Sequence, residues 1–188
     1  MHIHDITLIG WLHSLACAIA LLAGATNLAA TKGTPQHKRV GRVYFWSMLA
    51  LNLSAFAIYR FDIAHFVPFS AGPHVFGFFH WLAVGALAFV VVGRFAASRQ
   101  SAAFWAYLHP IMMVLSYYLL VGGAINEAFA RIDPLRDVAR RSAAGLAQPG
   151  NAPIVGLAQT AAVAATFVLI VYFMARVAIY RRTLRTAD

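Results

Sequence analysis

Five long apolar stretches dictate what this chain can become. They cover residues 6–30, 43–59, 75–93, 103–125 and 154–179, the second being the shortest. An α-helix needs about 20 apolar residues to cross the hydrocarbon core of a bilayer. These stretches are apolar all round, whereas a surface helix of a soluble protein is apolar along one stripe. A chain of 188 residues cannot build a soluble core large enough to bury five such helices. The expectation is an all-α integral membrane bundle of five transmembrane helices, one domain over 1–188. Composition agrees: 61% of residues are hydrophobic and 11% charged, against about 45–50% and about 25% in soluble domains. The first stretch follows Asp5 and lacks a basic leader, so it is expected to be a retained helix and not a signal peptide.

Charge placement orients the bundle. Lys32, Lys38, Arg39 and Arg42 lie in the first connection, Arg94 and Arg99 in the third, and Arg176, Arg181, Arg182 and Arg185 after the last stretch. That side has ten basic residues and one acid, Asp188. The other side has Arg60, Arg131, Arg136, Arg140 and Arg141 balanced by Asp5, Asp62, Glu127, Asp133 and Asp137. The positive-inside rule then puts the N-terminus outside and the C-terminus in the cytoplasm of a bacterial inner membrane. The net charge of +9 faces membrane lipids and gives no reason to expect nucleic acid. Trp46, Trp105 and Tyr180 fall near the inner interface, where amphipathic rings anchor helices.

The outer loop 126–152 is long and of mixed charge. Asp133 followed by Pro134 reads as an N-cap and a first helical position, starting a short helix over 135–141. The segment 148–151, with Pro149 and Gly150, ends it. Cys17 is the single cysteine, so no intrachain disulfide forms.

Eight histidines are the chemical signal, because ionisable groups inside a bilayer are costly and by default mark function. His2, His4, His13, His65, His74 and His80 are expected in the outer half, His37 and His109 in the inner half. His13 should lie about 10 Å and His80 about 8 Å below the outer surface, and His109 about 9 Å above the inner one. Two imidazoles at matched depth on different helices suit bis-histidine ligation of haem b. Small residues at helical spacing, Cys17, Ala20 and Gly24 after His13 and Gly77 before His80, leave room for a macrocycle or a close helix. His13 and His80 are thus the candidate outer ligands, with His109 and then His37 serving an inner site. His37 is placed just before the second helix, where contact with lipid headgroups competes with ligation. The alternative for each histidine is a plain interhelical hydrogen bond.

A second reading groups His13, His65, His74, His80 and Glu127 as imidazole and carboxylate ligands for a Zn, Cu or Fe ion. His2, His4 and Asp5 could supply further ligands to the same outer group. The sequence contains no HExxH, CxxCH or paired CxxC that would select a metal. Along the fourth stretch, His109, Met113, Ser116, Leu120, Gly123 and Glu127 share one helical face. This face is either a proton or electron path or ordinary seam packing. Pro110 either starts this helix or kinks it. No serine has an acid–histidine partner at a recognisable spacing, and GxSxG is absent.

Two segments carry a family resemblance. His13 and Gly24, then Lys32, His37, Lys38, Arg39, Gly41 and Tyr44 ahead of the second apolar stretch, form one pattern. His109, Met113, Ser116, Tyr117, Tyr118, Asn126 and Glu127 form the other. Together they resemble a family of bacterial predicted membrane proteins of unknown function, over roughly residues 1–130. The resemblance implies a membrane location and is nearly silent on activity. In architecture alone the chain is also similar to the transmembrane dihaem cytochromes b, with histidines on separate helices near both faces.

Three functions stand open at this point. The first is a histidine-based redox site, foremost haem b, passing electrons within the membrane with quinone as a partner. The second is non-haem metal binding or transport. The third is a cofactor-free accessory subunit docked onto other membrane protein subunits.

Overall fold

The computed structural model describes residues 7–58, 78–99, 101–143 and 152–185. Among them there are six helices and no strand: α1 (Leu8–Ala29), α2 (Pro35–Ile58), α3 (Phe78–Ala97), α4 (Ala103–Arg131), α5 (Asp133–Ser142) and α6 (Pro153–Arg185). Four of them, α1, α3, α4 and α6, are long and apolar enough to cross a membrane. The all-helical expectation and the membrane-protein reading therefore hold in that form. α2 has the length, at 24 residues, but its first turns carry Lys38, Arg39 and Arg42 and its interior carries Asn52 and Ser54.

The chain divides into two compact units, Met1–Val92 and Gly93–Asp188. In the first, α1 and α2 pack on each other along their length. Two contacts fix an antiparallel register. His13 bonds Ser54, and a Cβ on Gly41 would come within 3.2 Å of Asn27 Nδ2. Counting inward from either contact puts Ala20 level with Met48, and Ala23 and Gly24 level with Tyr44. All of these are buried. Small residues on one helix thus meet large ones on the other, which lets the backbones approach closely.

The turn between α1 and α2 explains where α2 begins. Gly33 takes φ +82°, a conformation open to glycine at little cost. Thr34 then caps α2, its hydroxyl oxygen accepting from His37 N–H, with Pro35 at the first helical position. The helix starts eight residues before the apolar stretch, so His37 lies in its first turn and not ahead of it. The Thr34-Pro35 pair is a readable start signal; apolar periodicity hid it because the first two turns of α2 are polar.

The C-terminus of α1 has its own cap. Lys32 Nζ donates to the carbonyls of Asn27, Leu28 and Ala30. These are among the last carbonyls of a helix, which have no intrahelical partner and attract a cation. Lys32→Met should therefore lower stability by about 0.5–1 kcal/mol, measured by thermal unfolding in detergent. Lys32→Arg should restore most of the loss.

The second unit holds the end of α3 with α4, α5 and α6. α4 packs against α6 and α5. Gln159 of α6 donates to the Gly122 carbonyl and to Asn126 Oδ1 of α4. Arg99, in the turn between α3 and α4, lies 3.9 Å over the Phe95 ring, and Phe95 meets Trp105 edge-on. Pro110 lies inside α4, so it does not start that helix. α5 begins at Asp133, with Ile132 as its N-cap and no side-chain cap. Asp133 is thus a first-turn residue and not the cap; its carboxylate pairs with Arg136. The expected end signal over 148–151 lies outside the described residues.

Candidate functional site

The candidate histidines fall into two groups, one in each unit. In the first, His13 of α1 sits against α2 with Nδ1 2.8 Å from Ser54 Oγ. The Ser54 hydroxyl itself donates to the Leu51 carbonyl of its own helix. Its one hydrogen is used there, so it accepts from His13. His13 Nδ1 carries the proton, which leaves Nε2 as the basic nitrogen of the neutral ring.

His80 lies in the first turn of α3 and is 1% exposed. Its ring meets that of Phe56, with centroids 5.6 Å apart and planes 41° apart. His13 and His80 thus both meet α2 at nearly one level, since Ser54 and Phe56 are about 3 Å apart along the axis. Two residues is also about 200° of rotation, so the two histidines reach α2 on different sides. The structure brings both to one helix at nearly one height.

In the second unit, His109 Nδ1 lies 2.8 Å from the Gly93 carbonyl oxygen. A carbonyl only accepts, so here too Nδ1 is protonated and Nε2 is the basic nitrogen. Gly93 makes the approach possible: a Cβ there would fall 2.8 Å from Met113 Sδ and 3.2 Å from Met112 Cβ. Ser116 and Leu120, further along the same face of α4, are buried, and the Ser116 hydroxyl donates to the Met113 carbonyl. Where the face is described in these contacts, it is closely packed.

The remaining candidates are more scattered. His37 is half-buried in the first turn of α2. Glu127 pairs with Arg131 one turn on, so its carboxylate already has a cationic partner. His65 and His74, like His2, His4 and Asp5, lie outside the described residues. Among the described residues no three of His, Cys, Asp and Glu come together as a metal-binding group.

Some of the partners were not legible as such. Nothing in the sequence pairs Ser54 with His13, 41 residues away; only the fold does. Gly93 acts through its backbone oxygen and its missing Cβ, for which no side-chain signal exists. Gln159 had a readable signal, a lone amide in an apolar run, which must find a partner inside a bilayer. Comparison of the chain with family models, with curated proteins and with solved structures gives no match.

Proposed function

We propose that this chain is a multi-pass inner-membrane protein of five spans, with α2 as the second, the N-terminus outside and the C-terminus cytoplasmic. Its outer half carries a histidine-based redox site, foremost for haem b. The observation that carries this reading is His80, an imidazole buried almost completely on an apolar helix. A group so costly to place there is by default functional. The donor chemistry of the other histidines suits the same role. Ligating histidines donate one ring N–H to an oxygen and bind through the other nitrogen. His13 does this towards Ser54 Oγ and His109 towards the Gly93 carbonyl.

Haem bound there would supply one-electron chemistry, with quinone as a fitting partner within the bilayer. The chain's own contribution is to fix ring orientation, through Ser54 and Gly93, and to exclude water around His80. The resemblance to bacterial membrane proteins of unknown function accords with this location.

A second reading has support from the same hydrogen bonds. His13 to Ser54 ties α1 to α2, and His109 to Gly93 ties α3 to α4. Bonds of this kind hold a bundle without any cofactor, as an accessory subunit of a larger complex requires. One purified sample separates the readings, and elemental analysis of it addresses the non-haem metal site. A full-length preparation from haem-replete cells should show a Soret shift and an α-band in its reduced-minus-oxidised spectrum. A folded, colourless preparation without stoichiometric haem would remove the haem reading and favour the subunit. Stoichiometric Zn, Cu or Fe without haem would favour the ion site.

A further inference from the structure

The first turns of α2 are charged against their own helix. A helix N-terminus carries the positive end of the dipole and favours anions. α2 has no acid in its first turn and instead carries His37, Lys38, Arg39 and Arg42. The side chains of Lys38, Arg39 and Arg42 are exposed. They make no ion pair, hydrogen bond or ring contact among the described residues. Three of the seven other basic residues assigned to the same side of the membrane are held by the protein itself. Lys32 caps α1, Arg99 lies over Phe95, and Arg176 bonds Tyr172.

The three cations also share one face. Lys38 and Arg42 are four residues apart, and Arg39 is about 100° round the helix from Lys38. One further turn along the Lys38–Arg42 row stands Trp46, 66% exposed and edge-on to Phe45. Val43, also exposed, follows Arg39 by one turn. Cations therefore give way within about 6 Å of axial rise to an exposed indole. This is the profile of a membrane interface, where a ring anchors at headgroup level beside basic side chains.

We infer that Lys38, Arg39 and Arg42, with Trp46 below them, form a binding site for the headgroup of an acidic phospholipid. The helix N-terminus adds to the same field, so a phosphate seated there relieves the repulsion among the cations. The inference rests on α2 being a membrane helix, which belongs to the proposed five-span arrangement.

The test is native mass spectrometry of the full chain in detergent. It is titrated with phosphatidylglycerol, phosphatidylcholine or inorganic phosphate. Wild-type protein should retain phosphatidylglycerol at least about tenfold more tightly than phosphatidylcholine, and inorganic phosphate weakly, because each basic residue near the surface contributes several-fold. The triple variant K38Q/R39Q/R42Q should lose that preference. The charge-conserving K38R/R39K/R42K, and R181Q/R182Q on α6, should keep it. Equal retention of phosphatidylglycerol by the triple glutamine variant would overturn the site. Inorganic phosphate binding as tightly as the lipid would replace it with a free-anion site. Alkaline carbonate extraction of native membranes separates this from the underlying reading. Release of the protein by carbonate would refute the membrane assignment, whereas retention together with no lipid preference would refute the headgroup site alone.

Discussion

Gly93→Val should destabilise the second unit by about 1–3 kcal/mol, the usual cost of forcing extra carbons into a filled space. The first added carbon falls 2.8 Å from Met113 Sδ and 3.2 Å from Met112 Cβ. The sulfur is the far end of a flexible chain and can swing aside. The Met112 Cβ is fixed to its backbone and cannot. Gly93→Ala should already cost stability, because its Cβ meets the fixed Met112 Cβ, and Gly93→Val should cost more, because it adds two methyl groups to the same filled space. The same residue's carbonyl accepts from His109, so prising α3 from α4 also strips that imidazole of its orienting bond. Unfolding in mixed detergent micelles, followed by helical circular dichroism, measures the loss. Shortening Met113 to alanine in the Gly93→Val background should recover part of it. A Gly93→Val protein as stable as the wild type would show that α3 and α4 do not approach as closely as described.

The second large effect is expected at His80. Truncation to alanine removes a buried ring and leaves a cavity beside Phe56, at a cost of about 2–4 kcal/mol by comparison with other large-to-small core changes. Phenylalanine separates the two parts the ring could play. If His80 only fills space, His80→Phe should regain most of the stability lost in His80→Ala. If the imidazole holds a cofactor, His80→Phe should fold and yet lose the outer site's share of the Soret absorbance. Stability and absorbance measured on the same three preparations read the two roles independently. A His80→Phe variant that keeps a full wild-type spectrum would exclude His80 as a ligand.

Much of the helical frame could be read from hydrophobic runs alone, since a run near 20 residues has few other uses. α1, α3, α4 and α6 appear where those runs lie, with ends displaced by up to about six residues. The start of α2 and the end of α4 extend beyond their apolar segments into polar sequence, where caps and not hydropathy set the boundary. α4 runs on to Arg131 through Asn126 and Glu127, and α2 starts back at Pro35. His37 changed place for this reason.

The histidines were visible as residues, whereas their surroundings were not. Nothing in the spacing of His13 and Ser54, 41 residues apart, announces a bond. A backbone acceptor such as Gly93 has no signature at all. The matched depth of His13 and His80 was legible from counting along the helices, because rise per residue is fixed. Their approach to different sides of α2 depended on how α1 and α3 are arranged about that helix, and this is a property of tertiary packing.

The α1–α2 hairpin carries a consequence for how the protein is made. α2 bears Asn52, Ser54 and three cations near its start, and it is not among the helices apolar enough to cross unaided. α1 leaves the ribosome first and is strongly apolar. The connecting residues 30–34 are few and sharply bent at Gly33, so α2 emerges beside a partner already complementary to it. On the five-span arrangement, α2 would enter the bilayer as the second arm of a hairpin, with Ser54 bonded to His13 of α1. Biogenesis then has an order built into the chain: whatever loosens the Ala20–Met48 seam should strand α2 outside the lipid before it has any effect on the mature protein.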